Sequence, residues 1–262
     1  MDHPTVNTSR PLATLLCAVA FAACEKDAVQ VLPTDAPQSS RIKFFNYGVS
    51  APGVNFYADE TKMTAVLSAT GNEATTGVAY GGVGNGGAYS SIAPGTYSIT
   101  GRIAATTDKN LPIATISATI ADGRFYSLYL TGFYNTAAKT VDAFVLEDVY
   151  PAEIDFSIAQ ARFLHTISNA NPLTLYGVNT TTGDTLLIAD AVAYKSASSF
   201  TELPPGIYNL VARYPGDPVN TIVSTSVTLA GGKVYTIGAR GDITITSTTA
   251  ATRPLLDNTA NR

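Results

Sequence analysis

Tryptophan is absent from this 262-residue chain, and it has only 2 cysteines, 2 histidines and 2 methionines. Two cysteines exclude a disulfide scaffold and a four-cysteine zinc site. Two histidines exclude a metal centre built from several imidazoles. Charge is also sparse. Charged residues make up 14% of the chain, with 16 Lys and Arg against 20 Asp and Glu, a formal net charge of −4. A chain without a basic excess lacks the footprint that phosphate backbones require, which excludes nucleic acid as a partner. Low charge combined with 45% hydrophobic residues also excludes global disorder. No apolar run reaches the roughly 20 residues of a transmembrane helix.

The longest apolar run, Leu12 to Ala23, is interrupted only by Thr14 and Cys17. It has the length of a signal-peptide core. It ends Phe21-Ala22-Ala23-Cys24 and turns polar at once with Glu25-Lys26-Asp27. Two small residues before a cysteine resemble a bacterial lipoprotein signal; a plain secretory signal with an incidental cysteine is the alternative. The resemblance implies removal of residues 1–23 and a diacylglycerol, with palmitate-type acyl chains, on Cys24. Cys24 would then be the only cysteine of the mature chain, so no internal disulfide could form. Residues 24–40, with Pro33 and Pro37, read as a flexible tether. The implied address is the bacterial cell envelope, lipid-anchored. Glu25 after the cysteine favours the outer membrane, on its periplasmic or surface face.

The body is an internal duplication. Asn46 to Tyr57 aligns with His165 to Tyr176, and Val78-Ala79-Tyr80 with Val192-Ala193-Tyr194. Ala93-Pro94-Gly95-Thr96-Tyr97 aligns with Pro204-Pro205-Gly206-Ile207-Tyr208, and Ile120 to Leu128 with Leu229 to Ile237. Four blocks recur in one order, which sets two similar domains at 41–150 and 156–245, divided near Pro151, with 246–262 as a polar tail.

Within each copy the period is two. Val54, Phe56 and Ala58 alternate with Asn55, Tyr57 and Asp59, and Ile116, Ala118 and Ile120 repeat the pattern. Such alternation marks half-buried strands, and Pro-Gly, Asp-Gly and Gly-Gly pairs mark the turns between them. The fold class is therefore all-β: two tandem antiparallel sandwiches, each the size of an immunoglobulin-like domain. Phe56, Leu175, Tyr97 and Tyr208 are expected in the core. In Pro94-Gly95-x-Tyr97 and Pro205-Gly206-x-Tyr208, the tyrosine ring packs inward and its hydroxyl caps a loop carbonyl.

His165 to Tyr176, Val192 to Tyr194, Pro204 to Leu210 and Gly232 to Thr236 together resemble the bacterial family catalogued as domain of unknown function 4397. The first copy matches more loosely. The resemblance spans about Arg41 to Ile245 and implies exported, lipid-anchored immunoglobulin-like or transthyretin-like β-sandwiches with no established activity.

The search for chemistry returns little. His165 is the one histidine of the body, and its place in Phe163-Leu164-His165 reads as a half-buried structural imidazole rather than a triad member. Asp59-Glu60, Asp184 and Asp142 with Glu147-Asp148 read as solvated edge charges, since no D-x-D-x-D-G calcium loop is present. No metal or cofactor is expected. The glycines at 82, 84 and 87 have dinucleotide-loop spacing but lack a following helix. The copies diverge most between Tyr80 and Tyr89, and between Arg102 and Pro112 against Tyr214 to Pro218. Divergent loops are where recognition can be added to a shared scaffold, so Tyr80, Gly84, Asn85, Tyr89 and Tyr214 are the candidate binding residues. The function expected is that of a non-catalytic, envelope-anchored binding, adhesion or scaffolding lipoprotein, with an unknown protein or glycan partner. A periplasmic or surface carbohydrate or small-ligand binder is the alternative, and an enzyme is not expected.

Overall fold

The period-two segments all become strands. The computed structural model describes residues 40–261; the expected signal peptide, Cys24 and the expected tether up to residue 39 lie outside the described residues. The first copy contains β1 (Ser40–Asn46), β2 (Val54–Ala58), β3 (Thr61–Lys62), β4 (Gly82–Val83), β5 (Ser90–Ile92), β6 (Gly95–Ile103), β7 (Pro112–Ile120), β8 (Phe125–Asn135) and β9 (Thr140–Glu147). The second contains β10 (Ala159–His165), β11 (Leu173–Asn179), β12 (Thr185–Val192), β13 (Ser196–Ala197), β14 (Thr201–Leu203), β15 (Gly206–Arg213), β16 (Val223–Leu229), β17 (Val234–Arg240) and β18 (Leu255–Ala260). No α-helix occurs among the described residues.

Each copy is a sandwich of two sheets, and the two topologies are the same. In the first, β4-β1-β8-β9 (with β5 also on β1) faces β3-β2-β6-β7; in the second, β13-β10-β17-β18 (with β14 on β10) faces β12-β11-β15-β16. β1 runs parallel to β8, and β10 parallel to β17. Leu255–Ala260, expected in a polar tail, is the strand β18 instead. It pairs along β17 as β9 pairs along β8. Its Leu-Leu-Asp-Asn-Thr-Ala sequence is too polar to announce a strand because only one face of it meets the core.

The core of the first sandwich includes Ile42, Phe44, Val54, Phe56, Ile99, Leu128 and Leu130; that of the second includes Phe163, Leu175, Tyr208, Leu210 and Ile237. Phe56, Leu175 and Tyr208 are fully buried as expected, whereas Tyr97 is only half-buried. The expected tyrosine caps are present in both copies: Tyr97 Oη donates to Ala93 O at 3.0 Å and Tyr208 Oη to Pro204 O at 2.7 Å. A second pair closes the next turn, where Ala121 N donates to Tyr126 Oη and Ala230 N to Tyr235 Oη, each at 3.0 Å.

The two sandwiches are not beads on a string. β1, β8, β10 and β17 are buried on both faces. A strand with no solvent face reads as a near-continuous apolar run rather than an alternation, as in Ile42-Lys43-Phe44-Phe45 and Phe163-Leu164. The inward residues feed each sandwich's own core. The outward ones meet in a seam built from Phe45, Tyr47, Tyr129, Phe144 and Leu164.

Candidate functional site

The seam gathers most of the buried charge, and it places two of the candidate binding residues, Tyr80 and Tyr89. Its outward positions in the first copy are Lys43 and Phe45 on β1 and Tyr47 just after it, with Ser127, Tyr129 and Thr131 on β8. The equivalent positions in the second are Arg162 and Leu164 on β10 and Thr166 just after it, with Thr236, Gly238 and Arg240 on β17. The same face of each copy is used. Thr131 Oγ1 donates to Thr166 O at 2.9 Å, which sets β8 against β10. The equivalent pair is Arg240 and Tyr47, and the Arg240 guanidinium lies 5.7 Å from the Tyr47 ring centre, setting β1 against β17. Exchanging the copies exchanges the two contacts, so an approximate twofold axis runs along the strands.

Packing is complementary rather than duplicated. Phe45 stacks on Tyr129 at 4.5 Å and Tyr129 on Phe144 at 5.3 Å, so the first copy supplies the bulk. Opposite these rings the second copy is small. A Cβ on Gly238 would sit 3.3 Å from the Tyr47 ring. Interfaces packed to interior density need this pairing of large against small.

At one end of the seam lies an ionic cluster. The Asp148 carboxylate, with no side-chain exposure, accepts from Arg162 in an ion pair. It also accepts from Ser127 Oγ and Tyr89 Oη, each at 2.7 Å. Lys43, 1% exposed, lies with Nζ 4.3 Å from the centre of the Tyr89 ring. The Arg162 guanidinium lies 5.0 Å from the Phe200 ring. Lys43 and Arg162 are equivalent, as are Tyr89 and Phe200, so each copy covers its own buried cation with its own aromatic. Two cations thus share one carboxylate. Burial pulls the Lys43 ammonium below its ordinary value, opposed by Asp148 and aided by Arg162. Burial is the largest single effect on Arg162 and works against its charge, but Asp148, Tyr129 and Tyr150 together hold that group raised. The Tyr89 hydroxyl is pushed up by burial first and then by Asp148.

At the other end the motif tyrosines cross the seam reciprocally. Tyr80 of the first copy lies on Arg240 of the second, 4.9 Å from guanidinium to ring centre. Arg240 is itself paired with Asp257. Tyr194, the equivalent of Tyr80, donates to Asp142 Oδ2 of the first copy at 3.4 Å, and Lys195 Nζ pairs with the same carboxylate at 2.5 Å. The Tyr194 hydroxyl is pushed up to about 12, by burial first and then by Asp142. The crossing is possible because β8 and β17 each turn away at a glycine with positive φ, Gly132 at 73° and Gly241 at 116°. A side chain at Gly132 would come within 3.0 Å of Tyr194 Oη.

The remaining candidates serve the loop itself. Gly84 is buried in a 3₁₀ turn, Gly84–Gly87. Asn85, at φ 52°, donates through Nδ2 to Met63 O at 2.9 Å and Ser90 Oγ at 2.7 Å. The 80–89 loop is therefore a fastened brace whose two tyrosines are spent on the seam. Tyr214 lies far from it, half-buried against the second core. Asp148, read from sequence as a solvated edge charge, is buried and paired. The signal for the cluster was present in the duplication, since a cation stands at equivalent points of two apolar strands, Lys43 and Arg162.

His165 is fully buried, not half-buried. Its Nδ1 accepts from Ile167 N and its Nε2 donates to Asn171 O, each at 3.2 Å. Asn46 does the same work in the first copy: Oδ1 accepts from Gly48 N at 3.3 Å and Nδ2 donates to Pro52 O at 3.1 Å. The imidazole is thus a neutral loop tie. Burial pushes it down to about 4, against the opposing hydrogen bonds to Asn171 and Ala170. Among the described residues, no three His, Cys, Asp or Glu stand together as metal ligands, and no helix is long and apolar enough to cross a membrane.

One cleft stands apart from these groups. β17 and β18 are joined by residues 241–254, where the first copy has the short turn 136–139. This excursion folds against the start of β16 and borders an open cleft of about 720 Å³ lined by Ile222, Val223, Ile243, Ile245, Arg253 and Leu255, among others.

Residues 159–262 match the family described as Domain of unknown function (DUF4397). The match covers the second sandwich from the first residue of β10 and takes in β18. No curated protein matches the chain. Among solved structures, the chain is similar to "The Bacillus anthracis TIE protein" at 12% identity, with a TM-score of 0.23. That alignment covers 76% of this chain and 33% of the other, so the chain spans 33% of that protein's length.

Proposed function

We propose that this protein is a non-catalytic, envelope-anchored lipoprotein whose two copies of the DUF4397 domain form one rigid binding or scaffolding body. The observation that carries the reading is the seam. It consumes the tyrosines of the 80–89 loop and joins the sandwiches into a single unit, as suits a module that presents a surface. The chain enters that unit at Ser40, beside the starts of β1, β8, β10 and β17. The 720 Å³ cleft and the loops after β1 and β10 lie at the opposite end, away from an anchor on Cys24. Its mixed apolar and hydroxyl lining suits a protein or glycan ligand, and its divergence from the first copy gives it specificity.

The test has three parts. Metabolic labelling with a palmitate analogue should mark the wild-type chain and leave Cys24→Ser unlabelled and released from membranes. Retained membrane partition of that variant would overturn the anchor. Whole-cell pull-down and a glycan array should then identify a partner whose binding is lost when residues 241–254 are replaced by the 136–139 turn. Full affinity in that variant would remove the cleft. A hydrolytic activity abolished by His165→Asn would overturn the non-catalytic reading.

A further inference from the structure

The end of the molecule where the chain enters carries exposed apolar side chains that the seam and cores leave uncovered. Strand register places them. Asp148 N donates to Phe125 O, Gly232 N to Ile158 O, and Arg41 N to Arg124 O, at 2.7, 2.8 and 2.9 Å. The linker 149–158 therefore lies level with the turns that precede β8 and β17 and with the first residues of β1. Along it, Val149 is 64% exposed, Ile154 42% and Phe156 83%. The Phe156 ring rests on Gly232 and points no further into the fold. Three large apolar side chains within eight residues, beside Tyr150 and Pro151, cost solvation that a linker could have avoided with polar residues.

We propose that this end is a lipid-contacting face, with Val149, Ile154 and Phe156 seated in the headgroup and upper acyl region of the membrane that holds Cys24. The inference rests on the anchor reading above. Residues 25–39 separate Cys24 from Ser40, and a chain of that length reaches no further than about 55 Å even at full extension. The face is therefore held near the bilayer at high effective concentration, so a small apolar area suffices to dock it. Charge does not drive the contact. Arg41, Arg124 and Lys233 at this end are outnumbered by Asp122, Glu147, Glu153, Asp155 and Glu202, so docking should be stronger on neutral than on anionic lipid, and salt should narrow that difference.

The absence of tryptophan supplies the probe. Phe156→Trp places a single indole on the face, and Val219→Trp, at a 76% exposed position in the β15–β16 loop at the opposite end, is the control. Each lipidated full-length variant is reconstituted into phosphatidylcholine vesicles with brominated acyl chains. Residues of interfacial anchors sit about 5–10 Å into the boundary, so the indole of Phe156→Trp should shift to the blue and be quenched about twofold while that of Val219→Trp is unchanged. Lipidated, vesicle-bound protein in which the two indoles behave alike would overturn the lipid face and leave the anchor standing. A chain that takes no lipid label would overturn the anchor, and this inference with it. An indole of Phe156→Trp shielded only in whole envelopes, and not in vesicles, would assign the face to a protein partner and overturn the proposal.

Discussion

Replacing His165 with asparagine should leave the fold standing and remove an acid-induced loss of stability. Asn46 already performs the same two hydrogen bonds at the equivalent position of the first copy, so the substitution has a precedent within the chain. Burial lowers the imidazole from 6.5 to about 4. Between those values the unfolded chain binds a proton that the native state refuses, so stability is complete above pH 6.5 and is lost as pH falls towards 4. At about 1.4 kcal/mol per pH unit, the loss approaches about 3 kcal/mol. Urea midpoints measured near pH 7 and near pH 4.5 should show most of that loss in the wild type and little of it in His165→Asn, with unchanged m-values. The lowered carboxyls, such as Asp155, Asp217 and Asp242, also weaken the fold in acid, but they are common to both proteins and cancel in the difference. An acid loss in His165→Asn equal to that of the wild type would refute the argument. So would a cost above about 2 kcal/mol at neutral pH, since the asparagine would then have failed as a replacement.

Asp148→Asn should cost about 3–5 kcal/mol, because it leaves Lys43 and Arg162 buried without a counter-ion; adding Lys43→Met should recover part of that cost in equilibrium unfolding. Lys43→Met alone should be neutral or stabilising, since it removes a desolvated cation that rests on the Tyr89 ring and feels Asp148 only through space, beside the direct Arg162 pair; a loss above about 2 kcal/mol would mean that the attraction of Asp148 and Tyr89 outweighs the ammonium's desolvation. Phe56→Ala and Phe163→Ala should each cost about 3–5 kcal/mol, one in each core, and a single cooperative transition in both variants would show that the seam couples the sandwiches. Tyr80→Ala and Tyr194→Ala should speed protease cleavage in the 149–158 linker while far-ultraviolet circular dichroism stays unchanged; unaltered cleavage would mean that the reciprocal crossing does not hold the copies together.

Much of this molecule was legible in the sequence because strands half-exposed to water must alternate. β7, β15 and β16 follow that rule, and the Pro-Gly-x-Tyr caps of Tyr97 and Tyr208 act within four residues of their acceptors. Local chemistry of this kind needs no knowledge of distant partners. The duplication, too, was visible as ordered blocks. What only the tertiary structure decided was the second face of β1, β8, β10 and β17. A strand pattern can show that a face is apolar, but it cannot name the surface that covers it. The consequences followed from that one unknown. Tyr80 and Tyr89, which read as loop aromatics open to a ligand, are packed against Arg240 and Asp148. Asp148, in a run of edge charges, became the shared counter-ion of cations on two strands, Lys43 and Arg162. Leu255–Ala260, too polar to declare itself, became β18 because the exposed edge of β17 offered it a ladder of hydrogen bonds. Backbone pairing of that kind is indifferent to side-chain identity, which is why composition alone could not find it.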